Sequence, residues 1–408
     1  MHRSFQIKEI RCEIVSHIHH KASLAALAQT SQLFRDPALN ILWRKQETLY
    51  HLARCFPSDL VNEEVSPDIL QRLLRPIVAT DWERPLFYSH RVRHFHFRGP
   101  NHPVDLSDWI FSVLSLSLPG DYVFPNLESL IWFPSEDYFP FICLFLGPRI
   151  TRLSVDFPDS TCLSLLSALS KKHTSLTEVT LTGDWENGID NRCISLFANN
   201  LTHIELLAVP GLDWSALQHL SGLTTLRSLH LETFIAPIPC PLFSSTSFSA
   251  LETIRIRKTD VPSATQFIAV MSSAPLRSLY IRFAGCISTA GISVLYRAIA
   301  ANISRTTLTR FTQESTVKTL TDAEQRTCKI DSSAMQSLCC FPNLVHVRIT
   351  SPAGFELDDD TLADLARAWP CLESLLLASG LVAAELPRVT LAALHHLAKH
   401  CSELRKDP

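Results

Sequence analysis

LTEVTL (176–181), LTHIEL (201–206), LRSLHL (226–231), LETIRI (251–256) and LRSLYI (276–281) repeat one pattern, an apolar residue followed by apolar residues three and five places on. Their first residues fall at 176, 201, 226, 251 and 276, so the step is 25 each time. Successive side chains of a strand alternate faces, which puts the +3 and +5 residues on one side. A strand this short buries that side only by stacking against copies of itself. Copies running in the same direction need a crossover, usually a helix, between them. The intervening stretches 159–173, 263–274, 290–303 and 358–369 carry apolar residues at helical spacing. Asp358, Asp359 and Asp360 open the last of these, where negative charge suits the start of a helix, and they read as a cap.

The same pattern recurs outside the regular run. LESLIW starts at Leu127, ITRLSV at Ile150, LVHVRI at Leu344, LESLLL at Leu372 and VRHFHF at Val92. LTRFTQ from Leu308 is a weaker version, and the polar stretch near 312–333 reads as an insertion or an irregular repeat. Leu404 would open one more strand with no polar capping repeat after it, which suggests either an unusual packing of the end or a truncated product. A period of 20–29 residues with L-x-x-L-x-L is the signature of leucine-rich repeats. The expectation is an α/β fold whose residues 91–408 form a solenoid, with a curved parallel sheet and helices on its convex side.

Composition narrows the function. A net charge of −3 in 408 residues gives no basic excess of the kind that marks a nucleic-acid footprint. No apolar run reaches the ~18 residues a membrane span requires. The lead MHRSFQIKEIRCEIV has no secretory core. The twelve cysteines include no C-x-x-C and read as free thiols of a reducing compartment, cytoplasmic or nuclear. In that setting the sequons at Asn200 and Asn302 are chance. No G-x-S-x-G, phosphate loop or G-x-G-x-x-G is present. His396, His400 and Cys401 have helical spacing a metal could use, but no fourth ligand is evident, so they read as a surface cluster. The sequence therefore predicts no catalytic group, metal or cofactor, and a protein that is not an enzyme.

The N-terminal stretch differs from the repeats. IKEIRCEIVSHI (7–18) spaces Ile7, Ile10, Ile14 and Ile18 as on a helix. SLAALAQTSQLF (23–34) follows, with Ser23 as candidate N-cap, and DPALNILW (36–43) then offers Pro37 as a helix start. Three short helices in about 45 residues bury little apolar surface alone and must lean on something else. This order of residues resembles an F-box. It departs from the usual motif in having Gln6-Ile7 at the start and Thr30 with Ser31-Gln32 in the second half. WRKQETLYHLARCFPSDL (43–60) and DWERPLFYSHRVRHFHF (81–97) look like the linker of fungal F-box proteins with degenerate leucine-rich repeats. The resemblance divides the chain into an F-box-like unit at 1–45, a helical linker at 46–90 and the solenoid at 91–408. It implies the substrate-recognition subunit of a Skp–cullin–F-box ubiquitin ligase, which binds a Skp-type adaptor and, through it, a cullin-RING ligase. The adaptor-facing candidates it implies are Ile7, Ile10, Ile14, Leu24, Leu27, Leu33, Phe34, Leu39 and Trp43. The alternative is a repeat scaffold for protein interactions without ligase assembly.

If +3 and +5 point inward, then +2, +4 and +6 face the concave side. Those positions give Glu178, then His203 and Glu205, His230 and Glu232, Arg255 and Arg257, Tyr280 and Arg282, and later His346 and Arg348. From these the candidate binding set for an as yet unknown protein substrate is His230, Glu232, Arg255, Arg257, Tyr280, Arg282 and Arg348, expected to engage an acidic or phosphorylated segment. The plainer reading is a solvated strand face with cross-strand pairs such as Glu232–Arg255.

Overall fold

The computed structural model describes residues 6–60, 74–99, 109–173, 175–183, 191–235, 247–272, 274–315, 317, 319–379 and 389–405. The chain forms two compact units, Met1–Asn187 and Gly188–Pro408.

The first unit begins with helices α1 (Lys8–Ser16), α2 (Lys21–Thr30) and α3 (Gln32–Arg44). Two residues of strand, β1 (Lys45–Gln46), follow α3 directly, then helices α4 (Tyr50–Ala53) and α5 (Glu83–Ser89). Strand β2 (His94–Phe97), helix α6 (Trp109–Ser117), strands β3 (Ser129–Trp132) and β4 (Arg152–Phe157), helix α7 (Ser164–Lys172) and strand β5 (Glu178–Gly183) complete it. The five strands pair in parallel in chain order.

The second unit contains α8 (Asn191–Ala198), β6 (Leu206–Val209), α9 (Trp214–Ser221), β7 (Ser228–Leu231), β8 (Thr253–Thr259), α10 (Val261–Ala269), β9 (Ser278–Phe283), α11 (Thr289–Asn302) and β10 (Arg310–Ser315). It continues through α12 (Asp322–Thr327), β11 (Ile330–Asp331), α13 (Ser332–Gln336), β12 (His346–Ser351), β13 (Phe355–Glu356), α14 (Asp359–Ala368), β14 (Ser374–Ser379) and α15 (Leu391–His400). Its sheet is parallel in the order β6-β7-β8-β9-β10-β12-β14, and β11 and β13 form a separate parallel pair.

Both units thus have the leucine-rich-repeat fold. The +3 and +5 residues are buried where the pattern is regular, as in Leu130 and Trp132, Leu229 and Leu231, Ile254 and Ile256, and Leu279 and Ile281. At the entry to most strands of the long sheets, two consecutive backbone N–H groups converge on one carbonyl of the coil before. Glu252 and Thr253 donate to Arg227, Arg277 and Ser278 to Glu252, and Thr309 and Arg310 to Arg277, all at 2.8–3.0 Å. This corner satisfies donors that would otherwise be buried unpaired and sets the register of each new coil. Arg405 makes the same bond to Glu373 at 2.8 Å, so Leu404 begins the same corner. Asp358 caps α14 by accepting from the Thr361 N–H at 2.8 Å.

Four sequence expectations are corrected. LTHIEL enters its strand three residues late, with Ile204 in place of Leu201 as the anchor: Ile204, Leu207 and Val209 are buried, Leu206 is half-buried, and β6 starts only at Leu206. His203 and Glu205 therefore precede the strand, and Leu206 and Ala208 take the outward positions. LTRFTQ is a full strand, β10, so the stretch near 312–333 begins inside the sheet. Its +5 position is Gln313, buried and bonded to the hydroxyl of Tyr296 on α11 at 2.5 Å. The third helix begins at Gln32 rather than at Pro37, which lies inside it with no N–H to give the carbonyl of Leu33. Ser23 lies within the first turn of α2, whose N-cap is His20 with no side-chain bond.

Candidate functional site

The first candidate site is the three-helix unit. Its core is Val15, Leu24, Phe34 and Ala38, with Ile18, Leu27, Ala28, Ile41 and Leu42 packed against it. Leu39 is buried as well. The expected adaptor set therefore splits. Leu24, Phe34 and Leu39 serve the chain's own packing, because three short amphipathic helices need them to form a unit at all. Ile10, Leu27 and Trp43 are half-buried. Ile7, Ile14 and Leu33 remain exposed, at 49%, 38% and 37%. Ile7 is the extended N-cap residue just before α1, and Ile14 lies in the last turns of α1. Leu33 lies beside α1, in a groove it shares with Lys8, Arg11 and Cys12.

Trp43 turns toward the linker. Its ring stacks on Tyr88 of α5 at 4.5 Å. Arg91 reinforces the same junction, donating to Asp36 at 2.7 Å and to Asn40, with its guanidinium 4.6 Å from the ring centre of Phe87. Leu39, Leu42 and Trp43 also line an open cleft of 1530 Å³, which Phe56, Pro57 and Tyr88 line as well.

The second candidate site is the open face of the sheet in the second unit. Register places His230, Arg255, Tyr280, Thr312 and Arg348 side by side on β7, β8, β9, β10 and β12. The Arg255 guanidinium lies 4.6 Å from the ring centre of Tyr280. Its Nε is buried and accepted by no partner among the described residues. Glu232 pairs with Arg257 at 3.2 Å, not with Arg255 as the plainer sequence reading supposed. His230 bonds Ser228 at 3.1 Å, and burial, then the charges of Arg255 and Arg257, hold its imidazole below the ordinary value.

The residue at the centre of this face is Glu314, which the sequence reading did not single out. It accepts from Tyr280 Oη at 2.7 Å and from Arg282 Nε and Nη2 at 3.1 and 3.0 Å, and it pairs with Arg348 Nε at 3.4 Å. Burial pushes its carboxyl up, but the bonds from Tyr280 and Arg282 and the charges of Arg282 and Arg348 outweigh this and hold it below the usual range. Arg310 was missed as well. Both follow from the rule once Leu308 is taken as a full anchor, since 310 is its +2 position and 314 its +6 position.

On the first unit, Lys45, His94, His96, Arg152 and Glu178 line a shallow hollow of 530 Å³ on the corresponding face. Burial comes first in lowering the pKa of both histidines, and neighbouring cations add to it. Among the described residues no group of three or more His, Cys, Asp or Glu could hold a metal ion. Nor, among them, is any helix long and apolar enough to cross a membrane.

No family model matches the chain, and no curated protein matches it. Solved structures similar to it include the leucine-rich-repeat protein LegL7 from Legionella pneumophila, at 12% identity over 72% of this chain and 95% of that one, with a TM-score of 0.35. The yeast Rad7 and Elc1 complex is similar at 15% identity over 72% of this chain and 77% of that one, with a TM-score of 0.36. The Toll–Spatzle complex of Drosophila is similar at 14% identity over 77% of this chain and 47% of that one, with a TM-score of 0.34. Likenesses this loose add no weight to the fold, which stands on the strand ladder and its hydrogen bonds.

Proposed function

We propose that this chain is a substrate-recognition subunit of a Skp–cullin–F-box ubiquitin ligase. In this reading the three-helix unit docks on a Skp-type adaptor and the open face of the second unit holds the protein to be ubiquitylated. The chain itself makes and breaks no bond. It converts a chance encounter between client and ligase into a held geometry, which raises their effective concentration.

The observation that carries the reading is the sorting of apolar side chains in the three-helix unit. Enough of them turn inward to form a core, while Ile7, Ile14 and Leu33 stay in water. Apolar side chains held in water on a small helical unit, tied through Trp43 to α5 and through Asp36 to Arg91 just after it, suit a plug for another protein.

Affinity capture from cells tests it. Tagged wild-type chain should bring down adaptor, cullin and a client. The variant Ile14→Asp with Leu33→Asp should lose adaptor and cullin yet retain and accumulate the client. Retention of the adaptor by that variant would contradict the reading.

A further inference from the structure

The open face of β7 to β12 carries five arginines, 255, 257, 282, 310 and 348, against the two glutamates 232 and 314. Two of the five are committed within the chain: Arg257 to Glu232, and Arg282 to Glu314 through both Nε and Nη2. Arg348 shares Glu314 through Nε alone. Among the described residues Arg255 and Arg310 have no carboxylate partner. The unspent positive charge thus sits on three arginines, and each is on a different strand. Strands lie about 4.8 Å apart, so Arg255 on β8 and Arg348 on β12, which share one row with Tyr280 and Thr312, are about 14 Å apart, and Arg310 flanks that row two residues earlier on β10.

That spacing selects the ligand. A phosphorylated side chain brings about −1.5 to −2 charges to one point and needs cations that converge there. Among the described residues two pairs converge, Arg282 and Arg348 on Glu314 and Arg255 and Arg282 on the Tyr280 ring, and Arg282, common to both, is already closed on Glu314, whose charge repels a doubly charged phosphate more than a single carboxylate. An extended peptide advances about 3.3 Å per residue, so carboxylates about four residues apart span the same 14 Å. Resting on the reading that this face holds the client, we infer that it recognises an extended acidic segment, laid across the strands, whose spaced Asp or Glu side chains meet Arg255 and Arg348 at the two ends of the row, with Arg310 beside the path. Recognition then requires no phosphorylation. Tyr280 sets the anchor position by fixing the Arg255 guanidinium on its ring.

Fluorescence polarisation on the full chain tests this with three labelled dodecapeptides in a Gly/Ser background. One has two glutamates four residues apart, one has two adjacent glutamates, and one has a single phosphoserine. The spaced peptide should bind tightest, and the Arg255→Gln, Arg348→Gln double variant should weaken it by about tenfold or more with an unchanged melting transition. Glu314→Gln, which frees Arg282 and Arg348, should tighten it. Tighter binding of the phosphoserine peptide, equal binding of the two glutamate peptides, or wild-type affinity in the double variant would each overturn the inference. The parent reading is tested separately by Thr312→Trp, which fills the middle of the face without changing charge. If that variant still captures its client from cells, the face is not the client site, whatever the peptides do. If it loses the client while the arginine variants keep it, only the acidic-segment inference fails.

Discussion

Tyr280 on β9 donates its phenol proton to Glu314 on β10 at 2.7 Å, and the ring so held carries Arg255 on its face. One internal carboxylate therefore fixes an aromatic platform, and the platform fixes a cation that no carboxylate among the described residues neutralises. This is the frame on which the open face presents charge.

Removing that carboxylate should have opposite effects on stability and on binding. Glu314→Gln gives up charge-assisted bonds to two side chains at a half-buried position, a loss of about 1–2 kcal/mol once solvent screening is allowed for. Urea denaturation should show that loss while affinity for the spaced acidic peptide rises. A variant that lost both would mean that Glu314 merely holds the arginines in shape.

The buried bond between Tyr296 and Gln313 tests the repeat pattern itself. Tyr296→Phe leaves the Gln313 amide oxygen buried without its donor and should cost about 1–3 kcal/mol. Adding Gln313→Leu restores an apolar residue at the +5 position and should recover most of the loss, because replacing both partners by apolar groups of similar shape is close to neutral. Chemical denaturation of the two variants checks this, and a double variant weaker than Tyr296→Phe would contradict it.

Acidification should destabilise the fold in two stages. His51, His94, His96, His173 and His230 are all held below the ordinary histidine value, burial being the first cause in each. The unfolded chain therefore binds more protons than the folded one as pH falls below about 6.5, and stability drops from there down through the lowered folded values. Carboxylates held low, such as Glu314 and Glu47, contribute stability present above their unfolded values and lost as pH falls further through their folded ones. Melting temperature against pH should show both stages, and His230→Gln should flatten part of the first.

The three-helix unit separates packing from docking. Leu27→Asp puts a charge against the core of Val15, Leu24 and Phe34 and should unfold α1 to α3, seen as lost helical circular dichroism. Ile14→Asp changes an exposed position and should leave the helical signal intact.

How far the sequence could be read follows from where its signals were local. The alternation in LRSLHL, LETIRI and LRSLYI places each strand and each face, because burial of one side is enough to fix the register. LTHIEL misled because Leu206 and Leu207 are adjacent apolar residues that fit either phase, and only pairing of Leu207 with Leu229 selects one. β10 was faint because Gln313 stands where a leucine belongs, and its partner Tyr296 is seventeen residues away on a helix. Missing the strength of that anchor also hid Arg310 and Glu314. In the N-terminal unit the apolar pattern marks helices but does not divide core from surface, since Leu24, Phe34 and Leu33 are alike in chemistry and differ only in the tertiary packing of α2 and α3.

The most direct test of the central claim is co-expression of the full chain with a Skp-type adaptor, followed by size-exclusion chromatography and calorimetry. The account predicts a one-to-one complex that Ile14→Asp and Leu33→Asp weaken by about a hundredfold without loss of helical signal. Failure of the wild-type chain to bind the adaptor, or equal binding by the substituted chain, would contradict it.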